Sequence, residues 1–177
     1  MSSLNLMIGN VGSGKSEMAA HLARKWGAAV VNMDSIQASI HGGEYGRYEP
    51  AMKHVYQAVE ETLIVSALQA GLPVIIDRTN MDKKRRARFI EIAKQYTDEI
   101  TAYKFPLQDS PSAPLLERRM KNPRGVSREK WESVIKKMWA SYEAPTEDEG
   151  ITSLYDFSQV RINHQFLAVD FDGTIVG

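Results

Sequence analysis

The sequence predicts a single α/β domain in which a central parallel β-sheet is flanked by helices on both faces. Short apolar runs typical of strands alternate with longer segments whose apolar residues recur at helical spacing. A glycine-rich loop joins the first apolar run to the first helical segment, and polar residues follow two later runs. Because strand–helix–strand units join parallel neighbours, this alternation predicts a parallel sheet. The length of 177 residues, with 43% hydrophobic and 25% charged residues, suits one such domain.

The individual elements follow from local spacing and from helix-breaking residues. In the first helix, Met18, Leu22 and Trp26 are spaced to face inward. The longest helix is expected to end at Gly71, and the apolar run after it is predicted to be a buried strand. The predicted elements are strands at 4–8, 28–34, 72–80 and 99–107 and helices at 16–26, 35–42, 51–71, 83–96, 112–122 and 127–143.

The loop after the first strand, GNVGSGKS, has the P-loop spacing G-x-x-x-x-G-K-[ST]. Gly12 and Gly14 permit positive φ and a close approach of backbone N–H groups to phosphate. Lys15 adds a positive charge at a helix start, and the Ser16 hydroxyl can ligate Mg²⁺. The loop therefore predicts binding of a nucleoside triphosphate, ATP or GTP, with Mg²⁺. A glycine-rich turn with an unrelated lysine is the alternative. The predicted nucleotide-binding residues are Gly9, Asn10, Val11, Gly12, Ser13, Gly14, Lys15, Ser16 and Glu17.

Polar residues at two further strand ends are predicted to meet this loop, because ligands gather at the carboxyl ends of parallel strands. Asp34 ends the second predicted strand, and Asp77 begins the sequence DRTN at the end of the third. A carboxylate near the γ-phosphate can accept the proton of an acceptor hydroxyl, which is the role predicted for Asp34. Asp77 is predicted to lie beside the metal or to orient a polar side chain. As alternatives, Asp34 caps the helix that begins at Ser35, and Asp77 is a turn residue.

Two basic clusters stand out from an otherwise balanced chain. Arg118, Arg119 and Arg124 surround the helix-breaking Pro123 and Gly125, as a mobile lid near residues 118–128 would require. Arginines of a lid can stabilise the charge of a transferred phosphoryl group. The second cluster, KKRRAR at 83–88, places cations where a helix dipole disfavours them, which hints at a phosphate partner. A solvated charged surface is the alternative for both clusters.

Composition excludes several other classes of protein. The 22 basic and 22 acidic side chains give zero net charge, which argues against a non-specific nucleic-acid coat protein. The chain has no cysteine and therefore no disulfide framework. No apolar run approaches the roughly 18 residues of a membrane span, and no leader precedes the first strand. We therefore expect a cytoplasmic protein with no membrane partner.

The sequence resembles the P-loop polynucleotide 5′-hydroxyl kinases, especially the kinase half of bifunctional polynucleotide kinase–phosphatases. The similarity covers about residues 3–142 and lies in GNVGSGKS, VVNMDSIQASI, VIIDRTN with its basic helix, and ERRMKNPRGVSREKWESVIKKM. It implies a P-loop kinase fold with a lid, ATP and Mg²⁺ as cofactors, and the 5′-hydroxyl end of DNA or RNA as acceptor.

The resemblance also implies roles for individual residues. Lys15 and Ser16 would bind the triphosphate and Mg²⁺, Asp34 would be the general base, and Arg124 would belong to the lid, with Arg119 as a second candidate. Gln37 stands where the relatives carry an arginine that contacts the acceptor, so the charge is lost there. In DRTN the aspartate lies two positions before the threonine, whereas some relatives have it one before. The predicted substrate-binding residues are Asp34, Gln37, Asp77, Thr79 and Asn80.

The C-terminal sequence FLAVDFDGTIVG resembles the first motif of haloacid-dehalogenase-type phosphatases. The resemblance implies Asp170 as nucleophile and Asp172 as acid/base. We expect no phosphatase activity from this chain alone, because the later residues of such a site would lie beyond Gly177. The predicted organisation is therefore a kinase domain at 1–142, a linker at 143–152, and an incomplete phosphatase segment at 153–177. A homo-oligomer or a separate phosphatase domain is left open as a partner.

Three function classes stay open on the sequence. The first is ATP-dependent phosphorylation of a nucleic-acid 5′-hydroxyl end. The second is a P-loop kinase of a small metabolite or nucleoside, which would also use a carboxylate after the second strand but would not need the basic clusters. The third is a nucleotide-binding module without transfer chemistry.

Overall fold

A computed structural model of the protein describes residues 1–105 and 114–157, together with the backbone of 169–170 and 174–175. It confirms the predicted α/β fold. The strands are β1 (Ser3–Ile8), β2 (Ala29–Val31), β3 (Pro73–Ile76), β4 (Ile100–Lys104), β5 (Ser153–Asp156), β6 (Val169–Asp170) and β7 (Thr174–Ile175). The helices are α1 (Lys15–Trp26), α2 (Met33–Ile40), α3 (Lys53–Gln69), α4 (Lys83–Ala93), α5 (Pro114–Met120) and α6 (Arg128–Ala140), with 3-10 turns at Pro50–Met52 and Glu147–Glu149.

Strands β1 to β5 form one parallel sheet in the order β2-β3-β1-β4-β5. In the central strand, Leu6 pairs with Ile76 on one side and Ala102 on the other. The carboxyl ends of β1, β2 and β3 therefore lie at one edge of the sheet. The glycine-rich loop, the start of α2 and Asp77 all begin at that edge.

Alternation along β1 divides the core between the two faces of the sheet. Leu4, Leu6 and Ile8 pack with α2, α3 and α4 in one buried cluster. Met7 points to the other face, where it packs with Leu22 of α1. Because helices cover both faces of the sheet, the strands carry apolar residues toward both faces instead of alternating between apolar and polar residues.

Helices α5 and α6 form a separate small unit over the glycine-rich loop. Leu115, Leu116 and Ile135 are its buried centre, and Val11 of the loop packs against them. The turn between the two helices contains Arg124 at φ 52° and Gly125 at φ 71°. This helical pair and its turn occupy the place predicted for a lid.

The C-terminal part of the described chain differs from the predicted linker and phosphatase segment. The backbone N–H of Glu143 donates to the carbonyl of Met81 at 2.8 Å, and Glu149 is ion-paired with Arg86 of α4. Ser153–Asp156 then joins the central sheet as β5, parallel to β4. Residues 143–157 thus pack against the body of the domain through the Arg86–Glu149 ion pair and the pairing of β5 with β4.

The remaining C-terminal strands β6 and β7 form an antiparallel pair of their own. Asp170 lies in β6, while Asp172 of the predicted phosphatase motif lies outside the described residues, so that motif stays a prediction. Across the described ranges, no helix combines the length and the apolar character needed to cross a membrane.

Candidate nucleotide and acceptor site

The glycine-rich loop is held in a conformation that only glycine tolerates at two positions. Gly12 has φ 77° and Gly14 has φ 98°. A Cβ atom at Gly12 would lie 2.6 Å from the carbonyl oxygen of Leu115, so α5 leaves no room for a side chain there. Gly14 precedes α1, and no side chain caps this helix start. The first N–H groups of α1 therefore suit an anion such as a phosphate.

Lys15 is buried and turned toward its own loop. Its Nζ donates to the carbonyl of Asn10 at 2.6 Å and to Ser13 Oγ at 3.2 Å. Burial lowers the pKa of Lys15 to about 8, against the opposing effect of the nearby Asp77 carboxylate, while Arg119 lowers it further. A phosphate group would supply the negative charge that this ammonium group lacks, because a buried cation is stabilised by a close opposite charge.

Asn10 connects the loop to the helical pair. Its side chain is fully buried, its Nδ2 donates to the carbonyl of Ile135 at 3.0 Å, and its Oδ1 accepts from the N–H of Val11 at 2.7 Å. Asn10 and Val11 therefore contact α5, α6 and each other, and the nucleotide contacts predicted for them stay a prediction. The P-loop motif could not predict the contact between Asn10 and Ile135, because any residue is allowed at the second position of the motif.

Asp34 lies in the first turn of α2 and not at the end of a strand. Strand β2 ends at Val31, and Asn32 is the helix cap, since its Oδ1 accepts from the N–H of Ser35 at 3.0 Å. The prediction of a strand reaching Asp34 is therefore wrong, as is the alternative that Asp34 caps the helix. Because Asn is as good a cap as Asp, the Asp34 carboxylate is not needed for capping and is available for another partner.

The lid turn brings an arginine onto Asp34. Arg124 Nη1 donates to Asp34 Oδ2 at 2.7 Å, and both side chains are about half exposed. The two residues are 90 positions apart in the chain. The predicted general base and the predicted lid arginine thus meet in the structure.

The residues that follow β3 form hydrogen bonds to neighbouring elements of the site. Asp77 is buried, and its Oδ2 accepts from Asn32 Nδ2 at 2.9 Å, which orients the residue that caps α2. The carbonyl of Thr79 accepts from the N–H of Gly9 at 3.0 Å. Asn80, at φ 47°, donates from Nδ2 to the carbonyl of Met7 at 2.7 Å. These contacts join β1, β3 and α2, and Asp77 orients a polar side chain, as one of its predicted roles requires. The substrate contacts predicted for Asp77, Thr79 and Asn80 stay a prediction.

The other lid arginines lie near the same crevice. The guanidinium of Arg119 stacks over the ring of Trp131 at 4.0 Å, and its buried Nε has no partner among the described residues. Burial and the charge of Arg124 lower the pKa of Arg119, while Asp34 opposes them. Arg118 Nη2 donates to Glu17 Oε2 at 3.0 Å beside the glycine-rich loop. Gln37 is partly buried one turn along α2 from Asp34.

The basic helix α4 has a different environment. Arg86 is fully buried on Glu149, Arg88 pairs with Glu60, and Arg85 pairs with Asp82, which also caps the helix. Most of this cluster therefore neutralises acidic partners of the domain itself. The sequence hint of a phosphate partner does not extend to the whole cluster.

The residues present fit a nucleoside triphosphate with Mg²⁺. The glycine-rich loop offers uncapped helix N–H groups and a buried ammonium group, and the Ser16 hydroxyl is exposed at the helix start. The described residues contain no group of three His, Cys, Asp or Glu side chains that could hold a metal alone. Ser16 is the residue of the loop that would hold Mg²⁺ together with phosphate oxygens of the nucleotide, because the loop Ser or Thr is a ligand of Mg²⁺ in P-loop proteins.

Comparisons with known structures show a shared fold. A gluconokinase from Sinorhizobium meliloti is 16% identical with a TM-score of 0.54, and the match covers 85% of this chain and 81% of that one. A chain of the Pnkp1/Rnl/Hen1 RNA repair complex is 23% identical with a TM-score of 0.66, over 79% of this chain and 43% of that one. A fungal RNA kinase is 14% identical with a TM-score of 0.55, over 87% and 73%.

The chain thus spans less than half of the matched protein in the RNA repair complex. No curated protein sequence matches it significantly. At the sequence level, the profile described as AAA domain matches residues 4–145, which contain the loop, Asp34, the end of β3 and the lid turn. The chain therefore belongs to this AAA domain family and has the fold of the P-loop kinases.

Proposed function

We propose that the protein transfers the γ-phosphate of ATP to the 5′-hydroxyl end of a nucleic acid. The observation that carries the proposal is the contact between Arg124 and Asp34 at 2.7 Å, beside a P-loop with a buried lysine. A carboxylate and a lid arginine that converge next to a phosphate-binding loop are the two groups that in-line phosphoryl transfer requires. A nucleotide-binding module without transfer chemistry would need neither.

In the proposed reaction, the Asp34 carboxylate accepts the proton of the 5′-hydroxyl group. The hydroxyl oxygen forms a bond to the γ-phosphorus, and the bond between that phosphorus and the oxygen bridging to the β-phosphate breaks. The products are ADP and a 5′-phosphorylated end, with the proton on Asp34. Lys15, Arg124 and Arg119 stabilise the charge on the phosphoryl oxygens. Mg²⁺, held by the Ser16 hydroxyl, supplies further charge neutralisation when bound.

Two features favour a nucleic acid as the acceptor. The lid carries Arg118, Arg119 and Arg124 on one short segment, and repeated cations suit a substrate with repeated phosphates. Among the three structures compared above, the chain of the RNA repair complex has the highest TM-score and identity, although it shows the fold alone. Gln37 in place of the arginine of polynucleotide kinases is the feature that argues against tight acceptor binding.

A small-molecule kinase is the second candidate. The gluconokinase match covers 81% of that chain, against 43% for the chain of the RNA repair complex. Zero net charge and the ion-paired α4 cluster also agree with a small acceptor. Such an enzyme would use the same Lys15, Asp34 and Arg124 chemistry on a hydroxyl group of a compact substrate.

The test is a transfer assay with γ-labelled ATP and Mg²⁺. The acceptors are a 5′-hydroxyl oligonucleotide, the same oligonucleotide with a 5′-phosphate, a nucleoside and gluconate. We expect label only on the 5′-hydroxyl oligonucleotide, and its loss in Asp34→Asn by about 10²- to 10⁴-fold with ATP binding retained. Asp98→Asn is the matched control, because Asp98 is exposed between α4 and β4.

The outcomes separate the candidates. Label on gluconate or the nucleoside alone would replace the nucleic-acid proposal by the second candidate. ATP binding without label on any acceptor would support a nucleotide-binding module. Equal rates for Asp34→Asn and Asp98→Asn would remove Asp34 from the chemistry.

A further inference from the structure

A buried carboxylate beside the site is shared by two arginines. Glu60 of α3 has a side chain with 0% exposure. Arg78, from the sequence DRTN, donates through Nη1 to Glu60 Oε1 at 2.7 Å, and Arg88 of α4 donates through Nη1 to Glu60 Oε2 at 2.5 Å. Each arginine side chain is about one-third exposed. The proposed phosphoryl transfer uses none of these three residues.

The charges of this group do not cancel by themselves. One arginine is enough to neutralise a buried carboxylate, so the second leaves one positive charge at the surface. Glu61 lies 4.0 Å from Arg88, but it is mostly exposed and therefore screened by water. The excess positive charge consequently resides chiefly on Arg78. In the described part of the chain, Arg78 forms no ion pair with a second carboxylate.

Arg78 also has hydrogen-bonding capacity to spare. A guanidinium group carries five N–H donors, and the ion pair with Glu60 uses one of its nitrogens. Because Glu60 is buried, its bond to Nη1 anchors the guanidinium group and restricts the directions of its other donors. The remaining N–H donors of the Arg78 guanidinium group match the oxygens of a phosphate group. Because the bond to Glu60 already orders the Arg78 side chain, less conformational entropy is lost when a phosphate binds.

The position of Arg78 relates it to the acceptor side of the crevice. Arg78 directly follows Asp77, whose carboxylate holds the Asn32 side chain at 2.9 Å. Asn32 in turn caps the helix that carries Asp34 in its first turn. Arg78 is thus tied to the proposed general base through one hydrogen bond and one helix cap. Its partners Glu60 and Arg88 belong to α3 and α4, which pack on the same face of the sheet as α2, whereas α1, which follows the nucleotide loop, packs on the other face.

We infer that Arg78, oriented by Glu60 and with Arg88 beside it, binds a backbone phosphate of the acceptor strand close to the 5′ end. This site rests on the proposed function, because it presumes an acceptor with phosphodiester groups. It also supplies a cation on the acceptor side, where Gln37 of α2 provides none.

The experiment measures acceptor binding without turnover. Fluorescence anisotropy follows a labelled 5′-hydroxyl oligonucleotide whose first, second or third linkage is a neutral methylphosphonate, with the wild type and with Arg78→Gln. We expect one methylphosphonate position to weaken wild-type binding roughly 10-fold and to have little effect on Arg78→Gln. The slope of log affinity against log salt should also fall by about one in that variant.

Three controls keep the result specific. Arg85→Gln is the matched variant, because Arg85 is a more exposed arginine of α4 that pairs with Asp82, and it should behave as wild type. Arg78→Lys should restore part of the methylphosphonate effect, since it retains the charge. Thermal unfolding of Arg78→Gln checks that a loss of binding does not reflect a loss of fold.

The outcomes distinguish this site from the proposed function. If Arg78→Gln keeps the full methylphosphonate effect at all three linkages, Arg78 does not bind the strand and the inference is overturned. If the wild type binds the oligonucleotide but does not phosphorylate it, the proposed function fails while the Arg78 contact is still measured. If the wild type does not bind the oligonucleotide, both are refuted.

Discussion

Arg86 of α4 and Arg124 of the lid turn each form an ion pair with one carboxylate, but they differ in everything around that pair. Arg86 has no exposed surface, and Glu149 accepts from its Nε at 2.7 Å and from its Nη2 at 2.9 Å. Its Nη1 donates to the carbonyl of Asn80 at 3.0 Å. Arg124 is 43% exposed and makes its 2.7 Å contact with Asp34 through one nitrogen.

The difference shows which arginine is able to change partner. A fully buried guanidinium with its donors satisfied by the protein would lose several hydrogen bonds on leaving, whereas an exposed pair in water is worth at most about 1 kcal/mol. Arg124 can therefore leave Asp34 for a phosphoryl group at little cost, while Arg86 cannot leave Glu149. Burial and the number of bonds, rather than the type of residue, separate a structural arginine from a functional one.

Replacing the lid arginine should have the largest effect on activity. We expect Arg124→Gln to lower kcat for phosphoryl transfer by about 10³-fold or more, because an arginine that stabilises the transferred group contributes 10³–10⁵ where it has been measured. Its free energy of unfolding should stay within about 0.5 kcal/mol of wild type. The matched control is Arg128→Gln, an exposed lid arginine paired with Glu117. An equal loss of kcat in both variants would contradict the prediction.

Replacing Glu149, the partner of the buried Arg86, should affect stability more than activity. We expect Glu149→Ala to lower the free energy of unfolding by roughly 3–5 kcal/mol, because it leaves the Arg86 charge buried and unpaired. Urea denaturation measures this, with Glu147→Ala of the same turn, an exposed residue, as the control. The comparison between the two arginines breaks down if Glu149→Ala is as stable as Glu147→Ala.

The same pair should also make stability depend on acid. Burial alone would raise the pKa of Glu149, but bonds from Arg86 and from the N–H of Thr146 outweigh it and lower that pKa. A carboxylate with a lowered pKa contributes stability that is present above its unfolded pKa and lost as the pH falls through its folded value. The wild type should lose more stability than Glu149→Ala on acidification below about pH 4.5, near the ordinary pKa of the residue.

Lys15 extends the comparison to a buried cation with no carboxylate bonded to it. Its pKa is lowered to about 8 by burial, so the empty protein loses this charge above that pH. We expect nucleotide affinity to fall roughly tenfold between pH 8 and pH 9.5, because binding must then restore a proton to Lys15. Titration of a fluorescent ATP analogue measures it, and Lys15→Gln should show a flat profile over this range. Parallel profiles for the two proteins would contradict the assignment.

The free energy of unfolding should change with pH in the direction opposite to nucleotide affinity. Unfolded Lys15 keeps its proton up to about pH 10.5, whereas folded Lys15 releases it near pH 8. The unfolded state therefore binds more protons in this interval, and the empty protein should become more stable as pH rises through it. Nucleotide binding and folding thus depend on this one group in opposite directions.

The sequence predicted the parts of the structure that depend on local pattern. The period of apolar residues located four strands of the sheet, and the spacing of Gly9, Gly14 and Lys15 located the loop at the end of β1. The predicted meeting of Asp34 with the edge of that loop agrees with the topology, because carboxyl ends of parallel strands share one edge.

The sequence did not predict features that depend on long-range pairing. Strand β5 is short and exposed, and the sequence predicted that its residues belong to the phosphatase segment instead of to the central sheet. The role of Asn10 requires a carbonyl 125 residues away. Glu60 could have been found, because it stands four residues after Tyr56 and four before Ile64 on the buried stripe of α3, and a carboxylate in such a stripe requires a cationic partner.

The smallest expected effect concerns the residue that positions the lid turn. Trp131 Nε1 donates to the carbonyl of Pro123 at 2.9 Å, next to Arg124 in the chain, and its ring lies under Arg119. Trp131→Phe keeps an aromatic ring but removes the hydrogen bond, so we expect about 1 kcal/mol less stability and a several-fold lower kcat at unchanged ATP affinity. Trp139→Phe, on the exposed side of α6, is the control. Because the ion pair between Arg124 and Asp34 is exposed, we expect the lid's apolar packing and this one bond to help place Arg124. A Trp131→Phe protein with wild-type kcat would show that the bond is not needed.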